Sequence, residues 1–354
     1  MVDKIRVGFI GTGRISDLHA IEYLVNPDAQ IVALCDADSA LAEGRAKAWG
    51  LKDVRVFDDY TDLLARDDVD LVDILLPHHL HAEVALASMA AGKAVSLQKP
   101  MTLTLEEADQ VVDAAAIANT RFRVFENFLF YPPVVKAKTL VNDGAIGTPV
   151  TIRLKSNSGN RDLAWKVPEG AQAWRQDRTQ AGGGPSVFDD GHHKFAIAWH
   201  FMGPAERVHA WIGRTEMPNG SLRDSPAMIS MRFPGNRLGN FEVVHSPELT
   251  ILTEHYAQDD RVEITGTEGV LMINHGHGRL ANVAPVVLLR DGVATEYQDV
   301  ETGWERSFVY CTRHYIDALR AGEPARLSGE DARAVLRFGL AAEESARLGC
   351  AVDV

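Results

Sequence analysis

The stretch that decides the fold is GFIGTGRIS, residues 8–16, which ends an apolar run near the start of the chain. Gly11, Gly13 and Ser16 form a G-x-G-x-x-S variant of the dinucleotide-binding turn. The turn follows a predicted strand and precedes a helical pattern, and Asp36 comes after the next predicted strand, IVALC. Together these features predict a pyrophosphate site at the helix N-terminus. The alternative is an ordinary strand-to-helix turn in which Asp36 caps the following helix.

The acidic residue after the second strand also bears on the choice of dinucleotide. A carboxylate at Asp36 accepts hydrogen bonds from both ribose hydroxyls and repels a 2′-phosphate. No arginine follows it directly in DADSA, residues 36–40. The sequence therefore predicts NAD as the cofactor, with NADP less favoured.

The first third of the chain alternates short β-rich runs with helical patterns. Such alternation is typical of βαβ units and a parallel sheet. The predicted strands are IRVGFI, IVALCD, VRVF, LVDILL, AVSLQ and FRVF. One helical pattern runs from Glu83 to Ala91 and is stopped by Gly92.

Beyond Pro132 and Pro133 a helix to about Val141 is followed by a series of strands with period-2 alternation. These strands are VTIRLKS, RVHAWIGR, AMISMRF, NFEVVHS, RVEITGT, GVLMIN and PVVLLR. We predict an α/β protein: a Rossmann doubly wound parallel sheet in residues 1–124, and an α+β domain with a large, mostly antiparallel open sheet in residues 125–354. A capping pattern at Ser328 starts a last long helix, which is a candidate to pack back on the Rossmann domain.

Composition limits the classes of function. No apolar stretch approaches the roughly 20 residues of a membrane helix, and the start of the chain lacks the pattern of a secretory signal. Only three cysteines occur, without a C-x-x-C pair, which is typical of a reducing compartment. The net charge of −13 disfavours nucleic acid. We expect a cytoplasmic protein with neither membrane nor nucleic-acid partners.

Two further stretches contain residues suited to proton transfer. GKAVSLQKP, residues 92–100, places Lys99 at the carboxyl end of a predicted parallel strand, where ligands of open α/β sheets bind. GGGPSVFDDGHHKF, residues 182–195, places Asp189 and His193 four residues apart, hence on one face if the segment is helical. Loss of a hydride from an alcohol requires loss of the hydroxyl proton, and an imidazole is a suitable base at neutral pH.

The chain resembles the Gfo/Idh/MocA family of oxidoreductases over nearly its whole length. The likeness rests on the glycine turn with His19 after it, LPHHLH (residues 76–81), AGKAVSLQKP, the D-x-G-x-H of Asp189 to His193, ITGTEGVL (264–271) and the closing FVYCTRHYIDALRAGEPARLSGEDA (308–332). The resemblance implies that Lys99 interacts with the reacting hydroxyl, that His193 takes its proton, and that Asp189 orients the histidine or the substrate. It further implies cofactor contacts from Gly11, Gly13, Arg14, Ile15, Asp36, Leu76, Pro77, His78, His81, Gln98 and Lys99.

The chain departs from the family pattern at three places. Gln98 replaces the acidic residue of the family's E-K-P motif, which removes a negative charge beside Lys99. His78 stands where the family usually has asparagine. Four residues separate Gly184 from Asp189, one more than in many relatives, and we expect this to reshape the substrate pocket.

Substrate contacts are expected from polar and aromatic side chains of the second domain. The candidates, beside Lys99, Asp189 and His193, are Trp165, Trp174 and Arg175, with Tyr131 and His255 as further possibilities. Each tryptophan is as readily a core residue. Asp190, His192, His193 and His200 are close enough in sequence to suggest a metal, but the family's dehydrogenases need none and we predict none.

The sequence thus predicts an NAD-dependent dehydrogenase that oxidises a secondary hydroxyl of a sugar, glycoside or cyclitol. One alternative is an enzyme that retains NAD and cleaves a glycoside by transient oxidation, elimination and re-reduction. Another is an NAD-binding regulator without turnover. A sheet with one face free of helices also predicts contact with a second copy, and the family resemblance implies a homodimer or homotetramer.

Overall fold

The computed structural model describes residues 4–160, 165, 169–217 and 220–354. The chain forms two compact units. The first comprises Met1–Asn127 and Phe308–Leu336, and the second comprises Phe128–Ser307 and Arg337–Val354.

The described part of the first unit contains one sheet of six parallel strands. They are β1 (Ile5–Ile10), β2 (Ala29–Cys35), β3 (Arg55–Phe57), β4 (Leu71–Ile74), β5 (Ala94–Gln98) and β6 (Phe122–Phe125). Their order in the sheet is β3-β2-β1-β4-β5-β6. This is the Rossmann strand order, whose ligands bind at the carboxyl ends of the strands. The predicted doubly wound sheet is therefore confirmed.

The helices between these strands begin, in several cases, at side chains that accept hydrogen bonds from free N–H groups. The helices are α1 (Ser16–Val25), α2 (Ser39–Ala48), α3 (Tyr60–Leu64), α4 (His81–Ala90), which begins two residues before the predicted start, and α5 (Leu105–Ile117). Asp38, Asp59 and Thr104 cap α2, α3 and α5 in this way. The cap of α2 is therefore Asp38, which leaves Asp36 free of that role.

The core of the first unit is formed by residues of the central strands. Val7, Phe9, Leu34 and Leu71 are fully buried. Parallel strands covered on both faces consist of nearly continuous apolar residues, which is why these strands were readable from the sequence. The buried core includes Tyr315, whose hydroxyl lies 2.9 Å from the carbonyl oxygen of Val95 in β5 and 2.7 Å from that of Arg121, just before β6.

The described strands of the second unit form a large sheet and a separate short pair. The strands are β7 (Pro149–Asn160), β8 (Arg207–Ile212), β9 (Thr215–Glu216), β10 (Leu222–Arg223), β11 (Ala227–Phe233), β12 (Arg237–Thr250), β13 (Gln258–Gly266), β14 (Val270–Asn274), β15 (Val286–Arg290), β16 (Val293–Tyr297) and β17 (Val352–Asp353). The nine-stranded sheet has the order β16-β15-β14-β13-β7-β12-β11-β8-β17, and β9 pairs with β10 separately. All neighbours in the large sheet are antiparallel except β7 and β12, so the mostly antiparallel sheet is confirmed.

Helices and one wide turn complete the second unit and the closing part of the chain. They are α6 (Pro132–Asn142), α7 (Glu169–Gln176), α8 (Arg178–Ala181), a π-helical turn (Pro185–Asp189), α9 (Gly191–Met202), α10 (Trp304–Ala321) and α11 (Gly329–Leu348). The Ser328 hydroxyl accepts from the N–H of Asp331 at 3.4 Å, as the capping pattern predicts. Among the described residues, no helix combines the length and the apolar character needed to cross a membrane.

One face of the large sheet is buried and the other is open. Along β11, buried residues such as Ile229 and Phe233 alternate with exposed ones such as Met228 and Arg232. The buried face includes packing against α9, whose Phe195 ring contacts the ring of Phe241. The open face is the one on which the sequence predicts contact with a second copy.

Candidate active site

The glycine turn after β1 has the shape that a dinucleotide requires. Gly11 has φ +94°, and a Cβ added there would overlap the carbonyl oxygen of Leu75, so only glycine fits. A Cβ added at Gly13 would meet no described atom within 4 Å, which leaves its backbone open to a ligand. The Ser16 hydroxyl donates to the Gly13 carbonyl at 2.6 Å and ties the turn to the start of α1. These residues fit a pyrophosphate at the N-terminus of α1.

Asp36 is fixed against the same turn. One carboxylate oxygen accepts from the backbone N–H of Thr12 at 2.8 Å and from its hydroxyl at 3.0 Å. The other accepts from the N–H of Asp38 at 3.1 Å. Because a carboxylate oxygen accepts more than one hydrogen bond, Asp36 keeps lone pairs for ribose hydroxyls while its orientation is set by the protein.

His81 links the segments that follow β4 and β5. Its Nδ1 lies 2.8 Å from the carbonyl oxygen of Pro100, and its Nε2 lies 2.9 Å from that of Leu76. The side chain is fully buried, and burial lowers its pKa. The ring of His78, also buried, lies 5.5 Å from the His81 ring. The geometry favours His81 as a support for the loops around Leu76 and Lys99.

A buried hydrogen-bonded chain leads to the backbone of Lys99. Asp73 Oδ2 lies 2.9 Å from His19 Nδ1, and His19 Nε2 lies 3.0 Å from Gln98 Nε2. Gln98 Oε1 then accepts from the N–H of Lys99 at 2.8 Å. Since that contact assigns the amide oxygen, the amide nitrogen donates to His19, which is therefore the tautomer with its proton on Nδ1. The His19 ring stacks on Phe125 at 3.9 Å.

In the second unit, Asp189 ends the π-helical turn and His193 lies in the first turn of α9. Arg175 Nε donates to Asp189 Oδ2 at 3.2 Å, and the Arg175 guanidinium lies 4.3 Å from the ring centre of Trp174. Arg175, Trp174 and Asp189 are thus brought together, as expected of substrate-site residues. Residues 161–164 and 166–168, which lie before α7, are outside the described residues.

His193 belongs to an aromatic cluster in which the sequence analysis did not single out Phe128, His277, Trp304 or Tyr256. Its ring lies 4.7 Å from that of Phe128, which is 5.4 Å from His277, which in turn is 4.4 Å from Trp304. His193 is 5% exposed, and burial lowers the pKa of His277 well below its ordinary value. The aromatic cluster comprises Phe128, His193, His277, Trp304, Tyr256, His255 and Trp165.

The cluster contains Trp165 and His255, two of the residues expected to contact substrate, and the ring of a third, Tyr131, lies 5.9 Å from that of Phe128. The N–H of Trp165 donates to the carbonyl of His255 at 2.8 Å, and their rings lie 5.0 Å apart. Unlike Trp165 and His255, Tyr131 is fully buried, and its hydroxyl donates to the carbonyl of Thr302 at 3.1 Å. That position is typical of a packing residue.

Helix α9 also carries a buried lysine, Lys194, that lies between two carboxylates. Lys194 Nζ lies 3.0 Å from Asp190 Oδ2 and 3.0 Å from Asp260 Oδ2. Gln258 Nε2 donates to the same Asp190 oxygen at 2.8 Å. Burial opposes the lysine charge, but the two carboxylates outweigh it and raise the pKa of Lys194. Asp190 is thus bound to an ammonium group, and within the described ranges no group of three or more histidine, cysteine or acidic side chains has the arrangement of a metal site.

Comparison with known proteins agrees with this geometry. A model of an oxidoreductase family's NAD-binding Rossmann fold matches residues 5–126, and a model of that family's C-terminal alpha/beta domain matches residues 138–354. The chain belongs to the Gfo/Idh/MocA family. It is therefore an oxidoreductase with an NAD-binding Rossmann fold.

Relatives align with the chain from end to end. A D-apiose dehydrogenase of Paraburkholderia graminis is 28% identical, covering 100% of this chain and 90% of the relative. A myo-inositol 2-dehydrogenase of Thermotoga maritima is 27% identical, covering 96% of each. Levoglucosan dehydrogenase in complex with NADH and L-sorbose is 24% identical, with a TM-score of 0.83 over 100% of this chain and 99% of that one, which shows the shared fold.

Proposed function

We propose that this oxidoreductase is an NAD-dependent dehydrogenase that oxidises a secondary hydroxyl of a sugar, glycoside or cyclitol. The observation that carries the proposal is the combination, in one chain, of a turn that admits only glycine beside a fixed Asp36 and a helix that carries His193 next to Asp189. The full-length relatives named above are dehydrogenases of apiose and of myo-inositol.

In this proposal His193 takes the proton of the reacting hydroxyl. Its ring is buried against Phe128, which limits access of water to the proton-accepting nitrogen. Asp189, bound by Arg175, orients the histidine or accepts from a neighbouring hydroxyl of the substrate. NAD, when bound, accepts the hydride.

Lys99 has a different part in the same step. Its ammonium group donates to the oxygen on which negative charge develops as the proton leaves, a contribution of about 3 kcal/mol in a site without water. Its N–H is fixed by Gln98, so the main chain from which the side chain extends is held in place.

The choice of substrate class rests on the aromatic cluster and on the polar pair beside it. Sugar and cyclitol rings present C–H groups that pack on aromatic faces and hydroxyls that need charged or polar partners. Trp165 and His255 are partly exposed members of the cluster, and Arg175 and Asp189 supply a donor and an acceptor. The relatives acting on apiose and myo-inositol support such a substrate.

The test is a panel of sugars, glycosides and cyclitols with NAD, followed by NADH absorbance. Lys99→Met and His193→Ala are expected to lower turnover at least about a hundredfold, the lower end of what acid–base groups contribute. Lys47→Met and His200→Ala are the matched controls: Lys47 is exposed on α2, and the His200 ring packs on Phe201 in the same helix as His193. Full turnover in both Lys99→Met and His193→Ala would contradict the proposed roles.

The same assay addresses the alternative in which a glycoside is cleaved without net redox. That reaction forms product without stoichiometric NADH. It is not favoured, because the full-length relatives named above are dehydrogenases.

A further inference from the structure

The segment that carries Asp189 contains a wide helical turn. The N–H of Asp189 donates to the carbonyl of Gly184 at 3.1 Å, and that of Asp190 donates to the carbonyl of Pro185 at 3.2 Å, so each bond spans five residues. Such π turns hold one residue more than an α-helical bond and frequently occur at functional sites. The turn therefore accommodates the four residues between Gly184 and Asp189, and helix α9, which carries His193, follows it.

A carboxylate from a distant part of the sequence holds this turn. Asp224 Oδ1 accepts from the N–H of Ser186 at 2.7 Å, and Asp224 Oδ2 accepts from the N–H of Val187 at 2.6 Å. Both N–H groups lie in the first turn of a helical segment, where no earlier carbonyl is available to them. Asp224 directly follows β10 and is 6% exposed.

Gly184 leaves the space that the Asp224 carboxylate occupies. A Cβ added to Gly184 would overlap the carboxylate of Asp224. The N–H of Gly184 donates to Glu343 Oε1 at 2.8 Å, so the backbone here cannot easily withdraw. The contact thus depends on two residues: Asp224 binds the N–H groups of the turn, and Gly184, just before the turn, has no side chain to displace that carboxylate.

We propose that Asp224 is a positioning residue of the reaction: by binding the N–H groups of Ser186 and Val187 it sets the placement of Asp189 and, through α9, of His193. This inference rests on the proposed function for its kinetic consequence. A displacement of about 1 Å at a reacting group costs on the order of a hundredfold in rate, so a holder of the backbone affects catalysis without touching the substrate.

Two substitutions break the same contact from opposite sides. Asp224→Asn keeps the size of the side chain but replaces one acceptor with an amide that has only hydrogens to offer. Gly184→Ala leaves Asp224 in the sequence and displaces its carboxylate. Asp59→Ala is the control, because the exposed Asp59 caps helix α3 in the first unit and its loss removes a side-chain cap elsewhere.

Two measurements are made on each variant of the full chain. The first is hydrogen–deuterium exchange, in which the amides of Ser186 and Val187 are expected to exchange faster in Asp224→Asn and Gly184→Ala and unchanged in Asp59→Ala. The second is turnover of the best panel substrate, in which kcat is expected to fall about ten- to a hundredfold. The KM for NAD stays the same, and the primary deuterium isotope effect on kcat increases because hydride transfer becomes slower.

The isotope effect separates positioning from folding. A loss of folded enzyme lowers the apparent kcat without changing the isotope effect or any KM, and that result would overturn the proposal. The double variant is expected to be no slower than the slower single variant, because both remove one contact; multiplied losses would also contradict it. If the wild type turns over no panel compound, the proposed function fails. The positioning role of Asp224 is then tested by the amide exchange rates and by the ¹⁵N signals of the His193 ring in Asp224→Asn and Gly184→Ala. If neither differs from the wild type, the positioning role is wrong.

Discussion

Replacing Gln98 with glutamate exchanges one amide nitrogen for oxygen inside the buried chain from Asp73 to Lys99. In the wild type the amide donates to His19 Nε2, and His19 donates from Nδ1 to Asp73. Glutamate keeps the oxygen that accepts from the Lys99 N–H but places a second oxygen against His19 Nε2. Two acceptors then face each other, in a place where the His19 and Asp73 side chains have no exposed surface.

The conflict is relieved by one added proton, held between the introduced carboxylate and His19 Nε2. Between about pH 6.5, the ordinary pKa of histidine, and the higher pKa of this shared proton, the folded variant binds one proton more than the unfolded chain. A proton held only in the folded state contributes stability that is present at low pH and lost as the pH rises. The destabilisation relative to wild type should therefore grow by about 1.4 kcal/mol per pH unit, or about 2 kcal/mol between about pH 6.5 and about pH 8.

The assay is urea unfolding of wild type, Gln98→Glu and Gln98→Met at these two pH values. Gln98→Met loses both hydrogen bonds without adding charge, so His19 Nε2 and the Lys99 N–H lose their partner at about 1–3 kcal/mol each, equally at both pH values. Parallel pH dependence in Gln98→Glu and Gln98→Met would refute the reasoning, because it would show that no proton is taken up.

Three further outcomes can be measured on the same protein. Gly11→Ala should lose NADH binding in a fluorescence titration and unfold at lower temperature, since its Cβ would overlap Leu75, whereas Gly44→Ala in α2, with no atom within 4 Å, should retain both. Acid should destabilise the protein through His277, because burial lowers the pKa of this residue in the folded state. Below about pH 6.5 the unfolded chain binds a proton that the folded protein does not, so the free energy of unfolding falls by about 1.4 kcal/mol per pH unit. His277→Phe should flatten this slope in urea unfolding. Trp211, 61% exposed on the open sheet face, should lie in a contact between copies, so Trp211→Glu should reduce the mass measured by light scattering; a wild-type monomer would contradict this.

The strands were readable from the sequence because their signals are local. Parallel strands such as β1 and β4 are mostly apolar runs, each with one charged residue, and β11 alternates strictly between its buried and exposed faces. The strands that the sequence analysis did not predict show neither a continuous apolar run nor an alternation. Val293–Tyr297 is mostly exposed, and Val352–Asp353 is too short for a period to show.

The candidate site was readable only where a motif marks it. Gly11, Lys99 and the Asp189 to His193 spacing stand in recognisable patterns, but the residues that hold them do not. Asp73 and His19 are 54 positions apart and His19 and Gln98 are 79 apart, and Asp224 lies 38 positions from Ser186. Contacts over such separations are created by the fold, and no periodicity in the sequence indicates them.

Buried carboxylates fix the backbone at both Lys99 and the turn before Asp189. Asp73 acts through His19 and Gln98 on the N–H of Lys99, and Asp224 acts directly on N–H groups ahead of Asp189. Asp224 therefore binds the main chain directly, and Asp73 reaches it through two side chains. An acid bound directly to the Lys99 ammonium would partly neutralise the charge on which stabilisation of an alkoxide depends. Because Gln98 is neutral, it fixes the backbone of Lys99 without placing a negative charge beside that residue.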